Sequence, residues 1–148
     1  MTTPEVGTEL VNPVAGTKTV FVATATSTDG EHVEVEATYP PNSTRPARHV
    51  HPSQTEHFAV LAGSLEVRRG GEAFTAGVGE EFSVEPGVAH QMWAGDDGAV
   101  FRWRTSPALR TGELYCSMWE CARDNDWAPS GLQMLEAVSA FGDEFRLA

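Results

Sequence analysis

From His32 to Tyr39 the chain alternates without a break, with Val33, Val35, Ala37 and Tyr39 on one side and His32, Glu34, Glu36 and Thr38 on the other. A period of two sends successive side chains to opposite faces, so this is a half-buried strand with His32 on its solvated side. The run from Thr17 to Thr26, rich in Thr and Val around Phe21, is a second β-type stretch, and Asp29-Gly30 between the two is a hairpin signal. Further strands are expected over 45–51, 55–61, 65–68, 73–76, 81–85, 88–93 and 99–105. Turns at 40–43, Gly63-Ser64, Gly70-Gly71, Pro86-Gly87 and 95–98 separate them. About nine short strands, with a turn signal every 8–12 residues or so, predict an all-β sandwich or small barrel.

The texture changes at both ends. Residues 1–16 are broken by Pro4, Gly7, Pro13 and Gly16, which leaves an N-terminal arm with at most a short strand around Glu9 to Val11. After Pro107 the spacing turns helical, over Leu109 to Arg123 and Leu132 to Phe141, with a break at 125–131. The expected organisation is an arm (1–16), a barrel (17–106) and a helical extension packed on it (107–148).

Composition narrows the possibilities. At 148 residues the chain fits one domain that builds a core without disulfide staples. Lys and Arg number 10 against 21 Asp and Glu, and a formal charge of −11 argues against nucleic acid or an anionic membrane surface as partner. No apolar run approaches the ~20 residues of a membrane span. The opening Met1-Thr2-Thr3-Pro4-Glu5 lacks the basic and apolar regions of a secretory leader, so a cytoplasmic location is expected. Cys116 and Cys121 match no zinc pair and are expected to be reduced, structural thiols.

The chemistry concentrates in His49-Val50-His51-Pro52-Ser53-Gln54-Thr55-Glu56. Residues i and i+2 of a strand share a face, so His49 and His51 converge. Pro52-Ser53 reads as a turn, and the strand that follows returns Glu56 against the pair. A third strand, beginning after Pro86-Gly87, offers His90 to the same interior. His57 fails on parity, because it points outward if Glu56 points inward. His49, His51, Glu56 and His90 are therefore the expected ligands of one divalent metal ion. Imidazole with carboxylate suits Fe, Mn, Ni, Zn or Cu better than Ca or Mg.

The run His49-x-His51, four residues, Glu56, six residues, Gly63 resembles the first motif of the cupin superfamily. Gly79, five residues, Glu85-Pro86-Gly87, two residues, His90 resembles the second. Ser43 stands where the family has its opening glycine, Glu85 where it has a proline, and Ala94 where it has an asparagine; all four ligand positions are kept. The 15 residues between Gly63 and Gly79 resemble the short inter-motif loop of small single-domain cupins. The resemblance covers roughly residues 20–105 and implies a cupin jelly-roll β-barrel with an active-site metal, as well as a homodimer paired through sheet edges.

Four ligands either close a tetrahedron around a structural zinc or leave positions open for substrate. A barrel with its own core has no need of a metal to fold, so the open site is expected. Parity extends the inward face from Glu56 to Phe58 and Val60, from His90 to Met92, and along the apolar side of its strand to Tyr39; these four are the expected substrate pocket for a small organic molecule. Two readings of Val100 to Arg104 stay open. Either Phe101 and Trp103 face in, which is preferred, or Arg102 and Arg104 do and hold an anionic group. The expected activity is that of a quercetinase-like dioxygenase on an enolisable or phenolic substrate, with Glu56 both ligand and base. The alternatives are a non-redox lyase, isomerase or polyketide-type cyclase, and a small-ligand-binding cupin without turnover.

Overall fold

The computed structural model describes residues 2–148, so Met1 of the arm lies outside it. Nine strands and two helices follow in order: β1 (Glu9–Asn12), β2 (Thr17–Ala23), β3 (Val33–Tyr39), β4 (His49–Val50), β5 (Thr55–Arg69), β6 (Glu72–Gly77), β7 (Glu81–Val84), β8 (His90–Ser106), α1 (Thr111–Asp124), α2 (Gly131–Val138) and β9 (Arg146–Leu147).

The architecture turns on β5 and β8, which pair antiparallel from Thr55↔Ser106 to Arg69↔His90. Their register shifts between Val60 and Ala62 and again between Gly63 and Leu65, so both strands bend at their midpoints. The first half of β5 lies between β7 and the second half of β8, which continues to β3, β2 and β1. The second half of β5 lies between β6 and the first half of β8, which continues to β4 and β9. Each long strand thus passes from one layer into the other, and the two layers enclose the interior of a jelly roll.

This corrects two expected turns. Gly63-Ser64 and Gly95 to Gly98 do not reverse the chain; they are the facing bends of β5 and β8. The backbones meet there so closely that a Cβ on Gly63, at φ +68°, would sit 1.9 Å from the Gly98 carbonyl oxygen. Only glycine fits that conformation and approach. The strand count of nine survives by compensation: four expected strands fuse into two, while β1 and β9 join the sheet.

Alternation holds where it was read. Val33, Val35 and Ala37 are buried, as are Glu56, Phe58 and Val60 on β5 and His90, Met92 and Ala94 on β8. Phe58, Val60, Leu65, Val67, Phe82 and Phe101 fill the space between the layers. The strand expected over 45–51 shrinks to His49–Val50, and Arg45 lies outside, stacked over Trp93 at 4.2 Å. Cys116 and Cys121 are free thiols, Cys116 buried against Leu10, Phe21 and Val35.

The helical extension packs on the barrel through α1, whose Leu114 joins Val138 and Phe141 in a small core of its own. Helix α2 begins with a capping box in which Ser130 and Gln133 satisfy each other's backbone N–H groups. Beyond it the chain returns as β9, pairing with β4 at His49↔Leu147 and Val50↔Arg146. None of the helices among the described residues is long and apolar enough to cross a membrane.

Candidate metal centre

His49 and His90 are direct cross-strand partners, and His51 follows one pleat beyond His49. The ligand atoms of His49, His51 and His90 all lie within 4.8 Å of one another, so the three are placed to hold a metal ion. Glu56 reaches the group from the other layer, its Oε1 2.8 Å from His90 Nε2 and 3.0 Å from His51 Nε2.

Each imidazole is oriented from behind by a carbonyl. His49 Nδ1 meets Ala47 O at 3.0 Å, His90 Nδ1 meets Val88 O at 2.9 Å, and His51 Nδ1 meets Glu144 O at 2.6 Å. A carbonyl oxygen only accepts, so Nδ1 is the donor in every ring, and a neutral ring then keeps a bare lone pair on Nε2. His51 Nε2, His90 Nε2 and Glu56 Oε1 are buried without a hydrogen-bond partner. Lone pairs facing a carboxylate oxygen in a dry site are satisfied by a shared cation, a metal ion or a proton. The residues present therefore fit a divalent ion with imidazole and carboxylate preferences.

Burial and the Glu56 carboxylate set the charges of the group. Burial pulls His49 down to about 4, against the Ala47 carbonyl and with help from the neighbouring His90 and His51, so it is neutral at pH 7. Burial works to raise the Glu56 carboxyl, but contact with His51 and His90 holds it well below the usual carboxylate range. His51 is pulled down by burial and carried up further by Glu56, so its net shift is upward. Trp103 Nε1 donates to the other carboxylate oxygen, Glu56 Oε2, at 2.6 Å.

Above the histidines lies a cavity of about 460 Å³. Tyr39 and Met92 line it, with His49, His51 and Trp103 at its base. Phe58 and Val60 do not line it: they point inward but are sealed into the packed core, 0% and 2% exposed. Parity gives a side chain's face, not its depth, and the cavity occupies only the open end of the barrel. Pro46 and Ala47 add to its wall, and most of the rest comes from the helical extension, through Leu114, Tyr115 and Met118 of α1 and Met134, Leu135 and Val138 of α2. The extension caps the barrel mouth.

The two readings of β8 resolve in favour of the aromatics. Phe101 is buried and Trp103 faces the site, while Arg102 points out to Glu34 and Glu36 at 3.2 and 3.1 Å. His57 also lies outside, between Ser83 and Glu81, as parity required. Sequence reasoning missed Glu144 and Phe145, since the contact from His51 spans 93 residues and nothing local announces it.

The fold and the three-histidine group define a cupin, and the cupin domain family matches residues 27–104, more than half of the chain. The protein belongs to that family. Among solved structures it is similar to KdgF from a Halomonas species, at a TM-score of 0.58 and 20% identity over 68% of this chain and 87% of that one. It is similar also to an RmlC-like cupin from Shewanella frigidimarina, at 0.57 and 20% over 68% and 84%. The EutQ protein of Clostridium difficile follows at 0.53 and 21%, over 66% and 67%. At these identities the likeness carries the fold and leaves the reaction open. No curated protein sequence matches the chain.

Proposed function

We propose that the protein is a metal-dependent cupin enzyme acting on a small enolisable or phenolic substrate, and that its reaction is oxidative, of the quercetinase-like dioxygenase kind. One observation carries this reading: three imidazoles and a carboxylate gather beneath an apolar cavity, lined by His49 and His51, that is large enough for a small organic molecule. His49, His51, His90 and Glu56 would hold the ion, which when bound supplies Lewis acidity toward an enol or phenol oxygen.

The chain's own residues do the rest. Glu56 is ionised at neutral pH; Trp103 occupies Oε2, which leaves Oε1, facing His51 and His90, as the oxygen that would hold the ion. Tyr39, pushed up to about 12 by burial and then by Glu56, remains a neutral phenol. Tyr115, raised well above its ordinary value by the same causes, does so too. Leu114, Met118, Met134, Leu135 and Val138 supply an apolar wall that excludes water and accepts a ring or an alkyl chain. The described lining holds no Lys or Arg, so the ion would be the only cation there to answer an anionic substrate.

The test is dioxygen uptake by iron-, manganese- or nickel-loaded protein across a panel of flavonols, catechols and 1,3-diketones. Uptake that depends on both metal and substrate supports the reading. Equal turnover under strict anaerobiosis would replace it with a non-redox lyase, isomerase or cyclase. Tight binding with no turnover would leave a ligand-binding cupin. The proposal extends to a cytoplasmic location, and also to a homodimer, since among the described residues β6 and β7 each pair with β5 alone and leave an edge for pairing. Light scattering checks the second point.

A further inference from the structure

All three imidazoles of the centre are fixed through Nδ1, but not by the same kind of partner. His49 and His90 use carbonyls two residues upstream, Ala47 and Val88, which are part of their own strands' approach. His51 alone depends on a distant group, the backbone carbonyl of Glu144 near the C-terminus, at 2.6 Å. The neighbouring Phe145 stacks on His49 with ring centroids 5.0 Å apart and 28° between planes, and its edge faces His51 at 6.4 Å. The same few residues therefore hold two of the three imidazoles.

The segment is locked in place from three directions. Arg146 and Leu147 pair with Val50 and His49 as β9, and Ala148 N donates to Arg48 O. Phe141 is buried against Leu114 and Val138. The Glu144 carboxylate, its residue 1% exposed, is met by Arg110 Nε at 3.3 Å. Arg110 also donates to Ala140 O and lies over the Phe141 ring at 4.9 Å. Arg110 is the N-cap residue of α1, and its donor-only guanidinium cannot cap the helix N–H groups. Its polar contacts go to the C-terminal segment, and a buried carboxylate without its cation is costly to keep inside.

We propose that residues 144–147 are a positioning element of the metal centre: the Glu144 carbonyl sets the tautomer of His51, Phe145 holds the plane of His49, and the Arg110–Glu144 pair keeps both in place. Divalent-ion affinity is then coupled to docking of the C-terminus. By reciprocity the ion tightens that docking. The affinity part rests on the metal reading above; the tautomer part does not.

The experiment uses the full-length protein stripped by chelator. Zinc is titrated against a chromophoric chelator, and long-range proton–nitrogen spectra report the histidine tautomers. Arg110→Met strands the Glu144 carboxylate. It is expected to weaken zinc binding about tenfold or more and to release His51 from its single tautomer while His90 keeps its own. The double variant Arg110→Met/Glu144→Leu removes the stranded charge and leaves the backbone carbonyl, so affinity and tautomer should both recover. Phe145→Ala should weaken zinc binding with the Arg110–Glu144 pair intact, which covers the case in which Arg110→Met does not fold. Folded Arg110→Met and Phe145→Ala proteins with wild-type zinc affinity and a wild-type His51 tautomer would overturn the proposal. If the wild type binds no divalent ion, the metal reading fails instead, and the tautomer shift in Arg110→Met alone decides the role of the C-terminus.

Discussion

The indole of Trp103 donates to Glu56 Oε2 at 2.6 Å, and this bond joins the cavity wall to the carboxylate of the metal centre. Trp103→Phe keeps a ring against Phe58 and Tyr115, whose centroids lie 5.5 and 5.2 Å away, and removes only the donor. A buried carboxylate oxygen left without its partner costs about 1–3 kcal/mol. The urea midpoint of the metal-free variant should fall accordingly; an unchanged midpoint would mean that Oε2 finds another donor.

The bend where Gly63 meets Gly98 predicts an extreme sensitivity. Gly63→Ala combines φ +68° with a Cβ 1.9 Å from a backbone oxygen, whereas Gly30→Ala, at φ +83°, meets nothing within 4 Å. The first should cost more than about 3 kcal/mol or abolish folding, and the second only about 1 kcal/mol from its dihedral. Denaturant midpoints of the pair check this, and similar losses at both sites would contradict the close approach.

Much of the fold was legible because alternation is local. The face of Val33, Val35 and Ala37, the pairing of His49 with His51 and the outward turn of His57 all follow from a period of two. The bends at Gly63 and Gly98 were not legible as bends, since a glycine that breaks a strand pattern signals a reversal or a bulge equally well. Depth was not legible either. Phe58 and Val60 share the face of Glu56, but lie beneath the cavity because the interior is filled from the far end. Helical spacing exposed the apolar faces of α1 and α2 without saying that they close the barrel mouth. Ser43 and Ala94, two departures from the family pattern, turn out to touch: Ala94 N donates to Ser43 Oγ at 2.8 Å.

His49 supplies a pH dependence with a definite sign. Its folded value of about 4 lies below the roughly 6.5 of an unfolded histidine. Between those values the unfolded chain takes up a proton that the folded chain refuses, so metal-free stability falls as pH falls, by up to about 1.4 kcal/mol per pH unit. Above pH ~6.5 the effect is absent. His49→Asn lacks this titration, and its stability should decline less steeply between pH 6.5 and 4.5 in urea titrations. Parallel profiles for the two proteins would remove His49 from a buried, neutral role.

Removing the ion should destabilise the protein by simple linkage. At a free-ion concentration a hundred times the dissociation constant, chelation should cost about 2.7 kcal/mol, seen as a lower melting temperature. His90→Ala, which deletes a buried ligand, should melt at the same temperature with and without chelator. A chelator-induced drop in His90→Ala as large as in the wild type would place the stabilising ion elsewhere.

The central claim is that imidazoles from β4, from the turn after it and from β8 share one cation with a carboxylate from β5. X-ray absorption of cobalt-loaded, untagged protein at one equivalent measures that coordination directly. Three imidazole nitrogens and a carboxylate oxygen are expected around the metal; a shell of water oxygens with one imidazole or none would contradict the shared site.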